Sequence, residues 1–241
     1  MKLFQHTFPN GLVLIAEQMD WLRSAAFSLN LPAGCSRDPA ERLGLANFVA
    51  EMVQRGAGSR DSRQFAEALD QLGVDRNAMV TSAHTSFSAS TITDSLLPAI
   101  QLYADLVRQP HLPESQLEDG RQVCYMELAS LQDDLAQRTM QDLKQLTYGP
   151  VWGRAAVGIE PHIEQISAED IVAFHQRTYV PRETILSVAG QFDWDELRDG
   201  VAQMLGDWEG EPQANVESPT SSDEHRHIHH DSSQTQIGLA Y

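Results

Sequence analysis

The spacing of apolar residues alternates between two periods along the chain, and each period predicts a different kind of element. Alternating or short continuous apolar segments between turn residues predict strands at 11–18, 24–34, 75–82, 84–92 and 183–190. Apolar residues three or four positions apart predict helices at 39–55, 62–73, 96–110, 114–147, 167–179 and 193–205, the longest with a break near Asp133 and Asp134. The glycines and the proline of 149–158 predict a loop.

Residues that favour helix ends stand where the predicted helices begin and stop. Asp61 is placed as the N-cap of the second helix, and Gly73 ends that helix because glycine readily adopts a left-handed backbone conformation. Ser167 and Asp170 form a capping-box pattern in which aspartate replaces the usual glutamate. Asp193 stands in the same way before the last helix.

The order of these elements predicts an α+β fold, with a mostly antiparallel sheet covered by helices on one face. We expect one domain over residues 1–208. Residues 209–233 are polar, rich in proline and serine, and without an apolar period, which is the composition of a linker. Residues 234–241 alternate again, and we expect them to form the first strand of a truncated second domain.

The net charge of −17 argues against two classes of partner, because nucleic acids and anionic membrane surfaces both repel an acidic chain. No segment has the roughly 20 apolar residues of a membrane span, and the N-terminus lacks the apolar stretch of a signal peptide. The two cysteines, Cys35 and Cys124, form no disulfide framework. We therefore expect a cytoplasmic protein without nucleic-acid or membrane partners, with a periplasmic location as the alternative.

Four segments follow, in order, the sequence patterns of one enzyme family. RLGLANFVAEMVQRGAGSRD (42–61) is similar to G-L-A-H-F-L-E-H-M-x-x-x-G-T, and QLGVDRNAMVTSAHTSFSAS (71–90) to L-G-x-x-x-N-A-x-T-S-x-x-x-T. VCYMELASLQDD (123–134) is similar to V-x-x-E-E-I-x-x-x-x-D-D, and the order continues through 168–193. Together these segments resemble the insulinase/pitrilysin family of zinc peptidases, which includes the mitochondrial processing peptidase.

The departures from the family pattern fall on the residues that would bind zinc and activate water. The resemblance implies histidine ligands at positions 47 and 51, a glutamate base at position 50 and a third ligand at position 127. The sequence has Asn47, Ala50 and Glu51 instead, here called the altered zinc motif, and only Glu127 matches. Alanine cannot take a proton from water, and a neutral amide is a poor zinc ligand. We therefore predict no catalytic residue at these positions and no bound zinc, although zinc is the cofactor of the family.

Other interpretations of these residues stay open. Asn47 could simply hydrogen-bond a neighbouring loop, and Glu51 could form an ion pair with Arg55 one turn later. If Glu51 and Glu127 come together, one of them should keep a proton or take an arginine as partner. Asn47, Glu51 and Glu127 also make an all-oxygen set, which suits Mg²⁺ or Ca²⁺ better than zinc. The histidines of 225–230 could chelate a transition metal, although a solvated linker is the simpler interpretation.

The resemblance implies a function as well as a fold. Family members enclose a peptide between two such domains, and several occur as one subunit with the zinc helix paired with one without it. We expect a catalytically inactive subunit that pairs with an active paralogue, or with a second copy of itself, and helps to bind peptide. Main-chain pairing with the peptide is predicted along Asn77, Ala78, Met79, Val80 and Thr81. The alternatives are a zinc-dependent endopeptidase with a non-standard metal site and a structural domain without peptide binding.

Overall fold

The computed structural model describes residues 2–211, 216, 225–229, 231 and 233–240 of the chain. The strands in that part are β1 (Lys2–Thr7), β2 (Val13–Gln18), β3 (Ser24–Leu31), β4 (Gly56–Ala57), β5 (Arg60–Asp61), β6 (Asp75–Val80), β7 (Thr85–Ile92) and β8 (Ile185–Gly190). The helices are α1 (Leu45–Met52), α2 (Ser62–Gln71), α3 (Leu96–Arg108), α4 (Leu117–Asp133), α5 (Leu135–Trp152), α6 (Glu160–Ile163), α7 (Ala168–Thr178) and α8 (Trp194–Leu205). Short 3₁₀ helices cover Cys35–Arg37, Thr93–Ser95 and Glu114–Gln116.

Six of the strands form one sheet, in the order β1-β2-β8-β3-β7-β6. Neighbouring strands are antiparallel except for β2 and β8, which are parallel. β4 and β5 form a separate two-stranded ribbon after α1. The predicted α+β fold with a mostly antiparallel sheet is confirmed, and β1 and β6 are the two edges of that sheet.

Alternate side chains of the central strands separate a buried face of the sheet from an open one. Phe27 and Leu29 of β3, with Leu186 and Val188 of β8, belong to one apolar core shared with the helices. Because side chains alternate along a strand, the residues between them face the other way. That opposite face is a shallow concavity of about 570 Å³ lined by strand residues. The helices therefore cover one face of the sheet, as predicted.

The helix ends predicted from single residues are present. Asp61 caps α2, and Ser167 with Asp170 caps α7, each in a complete capping box. Gly73 follows α2 with a left-handed φ of 63°. The side chain of Asp193 accepts a hydrogen bond from the backbone N–H three residues later, at 2.9 Å. The residues that cap these helices are therefore the ones that the local sequence marks.

Two predicted elements are much shorter than their apolar patterns, whereas most of the others differ by only one or two residues at an end. The helix predicted over 39–55 is formed only by α1, because its first part consists of turns and Gly44 has a φ of 99°, which a helix does not accommodate. The strand predicted over 24–34 ends at Leu31, because Pro32 has no N–H for a strand ladder.

The long helical region is broken as expected, and one loop begins later than predicted. The side chain of Asp134 caps α5 directly after α4 ends. The loop predicted over 149–158 starts with a break at Gly149, whose φ is 74°, but helical structure resumes as far as Trp152. β1 was not predicted, because its sequence lacks a clear alternation of apolar and polar residues.

The described residues beyond α8 form neither helix nor strand. No strand is formed in 234–240, and the last position of the predicted strand 234–241 lies outside the described residues. The histidines within 225–229 are exposed, and His230 is not among the described residues. The linker, the second domain and the cytoplasmic location stay predictions. Within the described helices, none combines the length and the apolar character needed to cross a membrane.

Candidate functional site

The start of α1, the helix with the altered zinc motif, is held by the buried side chain of Asp38. Its two carboxylate oxygens accept hydrogen bonds from the backbone N–H groups of Gly44 and Ala46, each at 2.8 Å. The carboxylate thereby serves N–H groups that the start of a helix leaves unpaired. Burial raises the pKa of Asp38 to about 7, against the lowering effect of the two amides. No sequence pattern marks Asp38 as a cap, because it lies well before the usual N-cap position.

α4 packs closely against α1 because a glycine faces that helix. A β-carbon at Gly120 would lie 2.9 Å from the Phe48 ring and 2.7 Å from the sulfur of Met52, so a larger residue would crowd the contact. Arg121 places its guanidinium 5.4 Å from the centre of the Phe48 ring and donates to the backbone carbonyl of Ile166 at 3.0 Å. This packing brings the following turns of α4 to the exposed side of α1.

Two of the predicted site residues meet between these helices. The Nδ2 atom of Asn47 donates to Oε2 of Glu127 at 2.5 Å. An ionised carboxylate only accepts hydrogen bonds, so the amide of Asn47 turns its N–H toward Glu127 and its oxygen away. Asn47 is thus bound to α4 rather than to a neighbouring loop.

Glu51 is engaged by an arginine one helical turn later. Its Oε1 atom accepts from Nη2 of Arg55 at 2.8 Å and from Nε at 3.2 Å. Arg55 also donates to the side chain of Gln116, just before α4, at 3.3 Å. The ion pair considered from the sequence is therefore present, and it neutralises the charge of Glu51.

Both carboxylates of the predicted site lie near the buried thiol of Cys124. Burial, together with the nearby charges of Glu127 and Glu51, raises the pKa of Cys124 to about 12. The thiol therefore stays protonated and unreactive at neutral pH. Ala50, at the position that the resemblance assigns to the catalytic base, is buried and has no titratable group.

The residues present do not fit a zinc ion. Zinc needs imidazole, thiolate or carboxylate lone pairs directed at one point, whereas Asn47 directs an N–H at Glu127 and Glu51 is bound to Arg55. The all-oxygen set for Mg²⁺ or Ca²⁺ meets the same obstacle, because the oxygen of Asn47 is turned away from Glu127. Within the described residues, no three His, Cys, Asp or Glu side chains are grouped to hold a metal ion.

The predicted peptide-binding residues lie at the free edge of β6 and in the turn after it. They are, in β6, Asn77, Ala78, Met79 and Val80, and in the turn Thr81. The N–H of Thr81 donates to the carbonyl of His84 at 2.8 Å, which marks a hydrogen-bonded pair of the β6–β7 ladder. Such pairs recur every second residue, so the backbone groups of Arg76, Ala78 and Val80 point outward from the sheet. Arg76 therefore belongs to this edge, although it is not among the predicted residues. The N–H of Thr81 is not available to a peptide, because it is bonded to His84.

Small polar side chains occupy the open face of the sheet beside β6. The hydroxyl oxygens of Ser28 and Ser86 are 3.0 Å apart, and Ser28 accepts from Ser88 at 3.2 Å and from Asn30 at 3.3 Å. The sequence alone does not mark these residues, because serines in a strand give no functional pattern. Because these side chains are small, a peptide or a second protein surface can approach this part of the open face closely.

Two family models match the chain. One, described as insulinase (peptidase family M16), matches residues 14–150, and the other, described as peptidase M16 inactive domain, matches residues 165–241. The chain belongs to peptidase family M16. The first match covers more than half of this M16 chain and includes α1, β6 and α4. The family resemblance drawn from the sequence motifs is confirmed.

Relatives of this M16 chain carry the names of peptidases. It is 28% identical over 202 residues to an uncharacterized zinc protease of Mycobacterium leprae, covering 83% of this chain and 45% of that protein. It is 22% identical over 243 residues to a probable mitochondrial-processing peptidase subunit beta of Arabidopsis thaliana, covering 98% and 46%. This M16 chain thus spans about half the length of the curated relatives it matches.

Solved structures share the fold of this M16 chain. A peptidase M16 inactive domain from Pseudomonas fluorescens matches with a TM-score of 0.81 at 20% identity, covering 91% of this chain and 54% of that one. The periplasmic protease PqqL from Escherichia coli matches with a TM-score of 0.83 at 20% identity, covering 93% and 26%. The architecture is therefore that of an M16 peptidase domain.

Proposed function

We propose that this M16 chain is a catalytically inactive, peptidase-like subunit that pairs with an active family member and helps to bind the peptide. The observation that carries the proposal is the state of the altered zinc motif. Asn47 is bound to Glu127, Ala50 offers no proton acceptor, and Glu51 is neutralised by Arg55. A hydrolytic zinc site needs open coordination for water and a base, and a general base contributes about 10²–10⁴-fold. The altered zinc motif offers neither an open coordination position nor a base. The surrounding helices nevertheless pack as in an M16 domain.

The names of relatives support the pairing. One curated relative is named as subunit beta of a processing peptidase. One solved structure is of the first half of the protease PqqL. A partner that covers the open face of the sheet would enclose a peptide between two such domains. That partner is either an active paralogue or a second copy of this chain. Purification from the native cell without any second M16 chain would contradict the pairing.

Metal analysis of the purified chain tests the loss of catalysis. We expect substoichiometric zinc and no chelator-sensitive cleavage of an unstructured peptide, because the altered zinc motif lacks both ligands and base. The matched control replaces the histidines of 225–230 by serine, since clustered imidazoles bind metal by themselves. Stoichiometric zinc in that control, with cleavage that a chelator abolishes, would favour the alternative of an endopeptidase with a non-standard metal site.

Peptide binding along β6 predicts an effect of proline that depends on its position. Ala78→Pro removes an outward N–H without breaking the β6–β7 ladder, so we expect a folded chain that binds an unstructured peptide about tenfold more weakly. Fluorescence anisotropy measures this affinity.

The control for the proline variant is Gln5→Pro on β1, the other edge of the sheet. The N–H of Phe8 donates to the carbonyl of Leu12, which marks a hydrogen-bonded pair at the end of the β1–β2 ladder. Such pairs recur every second residue, so the N–H of Gln5 points outward from the sheet. Equal effects of the two prolines would contradict binding at β6. If no peptide binds while the paired complex still forms, the chain is a structural subunit instead.

A further inference from the structure

Glu127 carries a charge that the described contacts leave unneutralised. Glu51 is paired with Arg55, whereas the partner of Glu127 is the neutral amide of Asn47. Among the ion pairs formed within the described residues, none includes Glu127. Its side chain is exposed on α4. The surface between α1 and α4 therefore presents an exposed carboxylate that forms no ion pair with a described residue.

Asn47 and Glu127 together present a pair of hydrogen-bond acceptors. Asn47 uses its Nδ2 atom on Oε2 of Glu127, which leaves the amide oxygen and the second carboxylate oxygen. Those two oxygens take part in no hydrogen bond between described residues. A guanidinium group has paired, planar N–H donors that match neighbouring acceptors, whereas an ammonium group acts as a point charge. The chemistry of the pair thus suits arginine better than lysine, and better than any neutral side chain.

The free edge of β6 runs beside the helix that carries Asn47, because α1 packs against β6 and β7. Ala78 and Val80 face the apolar core on the helix side, whereas Met79 between them is exposed. A peptide strand added to this edge continues the alternation. Every second peptide side chain then projects to the side of α1, where Asn47 is partly exposed.

We propose that Glu127, held in place by Asn47, selects an arginine side chain on an extended peptide bound along β6. This inference rests on the proposed peptide binding and names the class of peptide that the inactive subunit prefers. The carboxylate at the position of a zinc ligand here becomes the counter-charge for a substrate side chain. The hydrogen bond from Asn47 fixes its orientation.

Matched peptides that differ in a single charge test the proposal. Each pair consists of two fluorescein-labelled, unstructured peptides that are identical except that arginine in one is citrulline, its neutral isostere, in the other. Arginine is moved through successive positions, because alternate residues of a bound strand face α1. On the wild-type chain, fluorescence anisotropy should show about tenfold tighter binding of the arginine peptide at alternate positions.

Glu127→Gln separates the charge from the shape of the side chain, because glutamine can still accept the hydrogen bond from Asn47. We expect this variant to bind the arginine and citrulline peptides within about twofold of each other, with an unchanged melting temperature. Asp119→Asn removes the same charge from the exposed first turn of α4 and should keep the preference for arginine. Equal affinities in the wild type, or a preference that survives in Glu127→Gln, overturns the inference.

The outcomes distinguish this inference from the proposed function. If both peptides bind the wild type equally and Ala78→Pro weakens both, the edge of β6 remains the binding site and the selection of arginine is wrong. If neither peptide binds the wild type, the proposed peptide binding fails and the inference fails with it. The preference should also shrink as salt is added, because exposed charges are screened. A preference insensitive to salt contradicts a role for the charge of Glu127.

Discussion

Asn47→His combined with Glu51→His is expected to create a zinc site that holds about one ion per chain. Positions 47 and 51 lie one turn apart on the same face of α1. Glu127 already reaches the side chain at position 47, at 2.5 Å, so the third ligand needs no new packing. Two imidazoles and one carboxylate leave a fourth position for water. Mass spectrometry of zinc per chain after exhaustive dialysis measures the effect.

The controls for this double variant identify where the metal binds. Glu127→Gln added to it should weaken zinc binding by about 100-fold or more, since loss of even an outer-shell partner costs about 10–100-fold. All variants carry serines in place of the histidines of 225–230, which would otherwise contribute zinc of their own. Zinc retained equally with and without Glu127 would show that this residue is not at a ligand position.

Ala50→Glu, added to the double variant, separates metal binding from catalysis. Zinc content should not depend on this third change, because position 50 is that of the base and not of a ligand. Any chelator-sensitive peptidase activity should be about 10²–10⁴-fold higher with the glutamate than without it. The contrast therefore separates the contribution of the metal ligands from that of the base.

Most of the fold could be predicted because the local pattern and the tertiary packing agree. Phe27 and Leu29 alternate with small or polar residues, and the structure buries that same side of β3. The exceptions depend on contacts between distant parts of the chain. α1 starts where the side chain of Asp38 reaches Gly44, and β1 is ordered by pairing with β2 rather than by its own pattern.

The altered zinc motif and Glu127 could be placed together from the sequence, but not their contacts, and Asp38, Arg76 and the serines of the open face could not be predicted. The motif resemblance placed Asn47 and Glu127 at ligand positions of one metal site, and helical spacing offered Arg55 as a partner for Glu51. The direction in which the amide of Asn47 turns depends on how closely α4 approaches, which Gly120 permits. Such an approach is a property of packed helices and leaves no periodic signal in the sequence. The outward backbone groups of β6 likewise follow from the hydrogen bonding of one turn.

Asp38→Ala is expected to lower the free energy of unfolding by about 2–4 kcal/mol, because it leaves two buried backbone N–H groups without an acceptor. These groups, of Gly44 and Ala46, stand at the start of α1, so the loss falls on the helix of the altered zinc motif. Urea unfolding followed by circular dichroism measures the change. Glu41→Ala, an exposed carboxylate in the same loop, is the control and should change stability by less than about 0.5 kcal/mol. A similarly small effect at Asp38 would mean that water replaces the lost acceptor.

The same carboxyl also gives the stability a defined dependence on pH. Burial raises the pKa of Asp38 from its ordinary value of 3.8 to about 7, so the folded chain binds this proton more tightly than the unfolded chain does. The stabilisation from this group is therefore complete below about pH 4 and is lost as the pH rises through about 7. Asp38→Asn has no titrating group at this position. The advantage of the wild type over Asp38→Asn in unfolding free energy should accordingly decrease across that range. A constant difference would show that the hydrogen bonds from the two amides offset the effect of burial on the pKa.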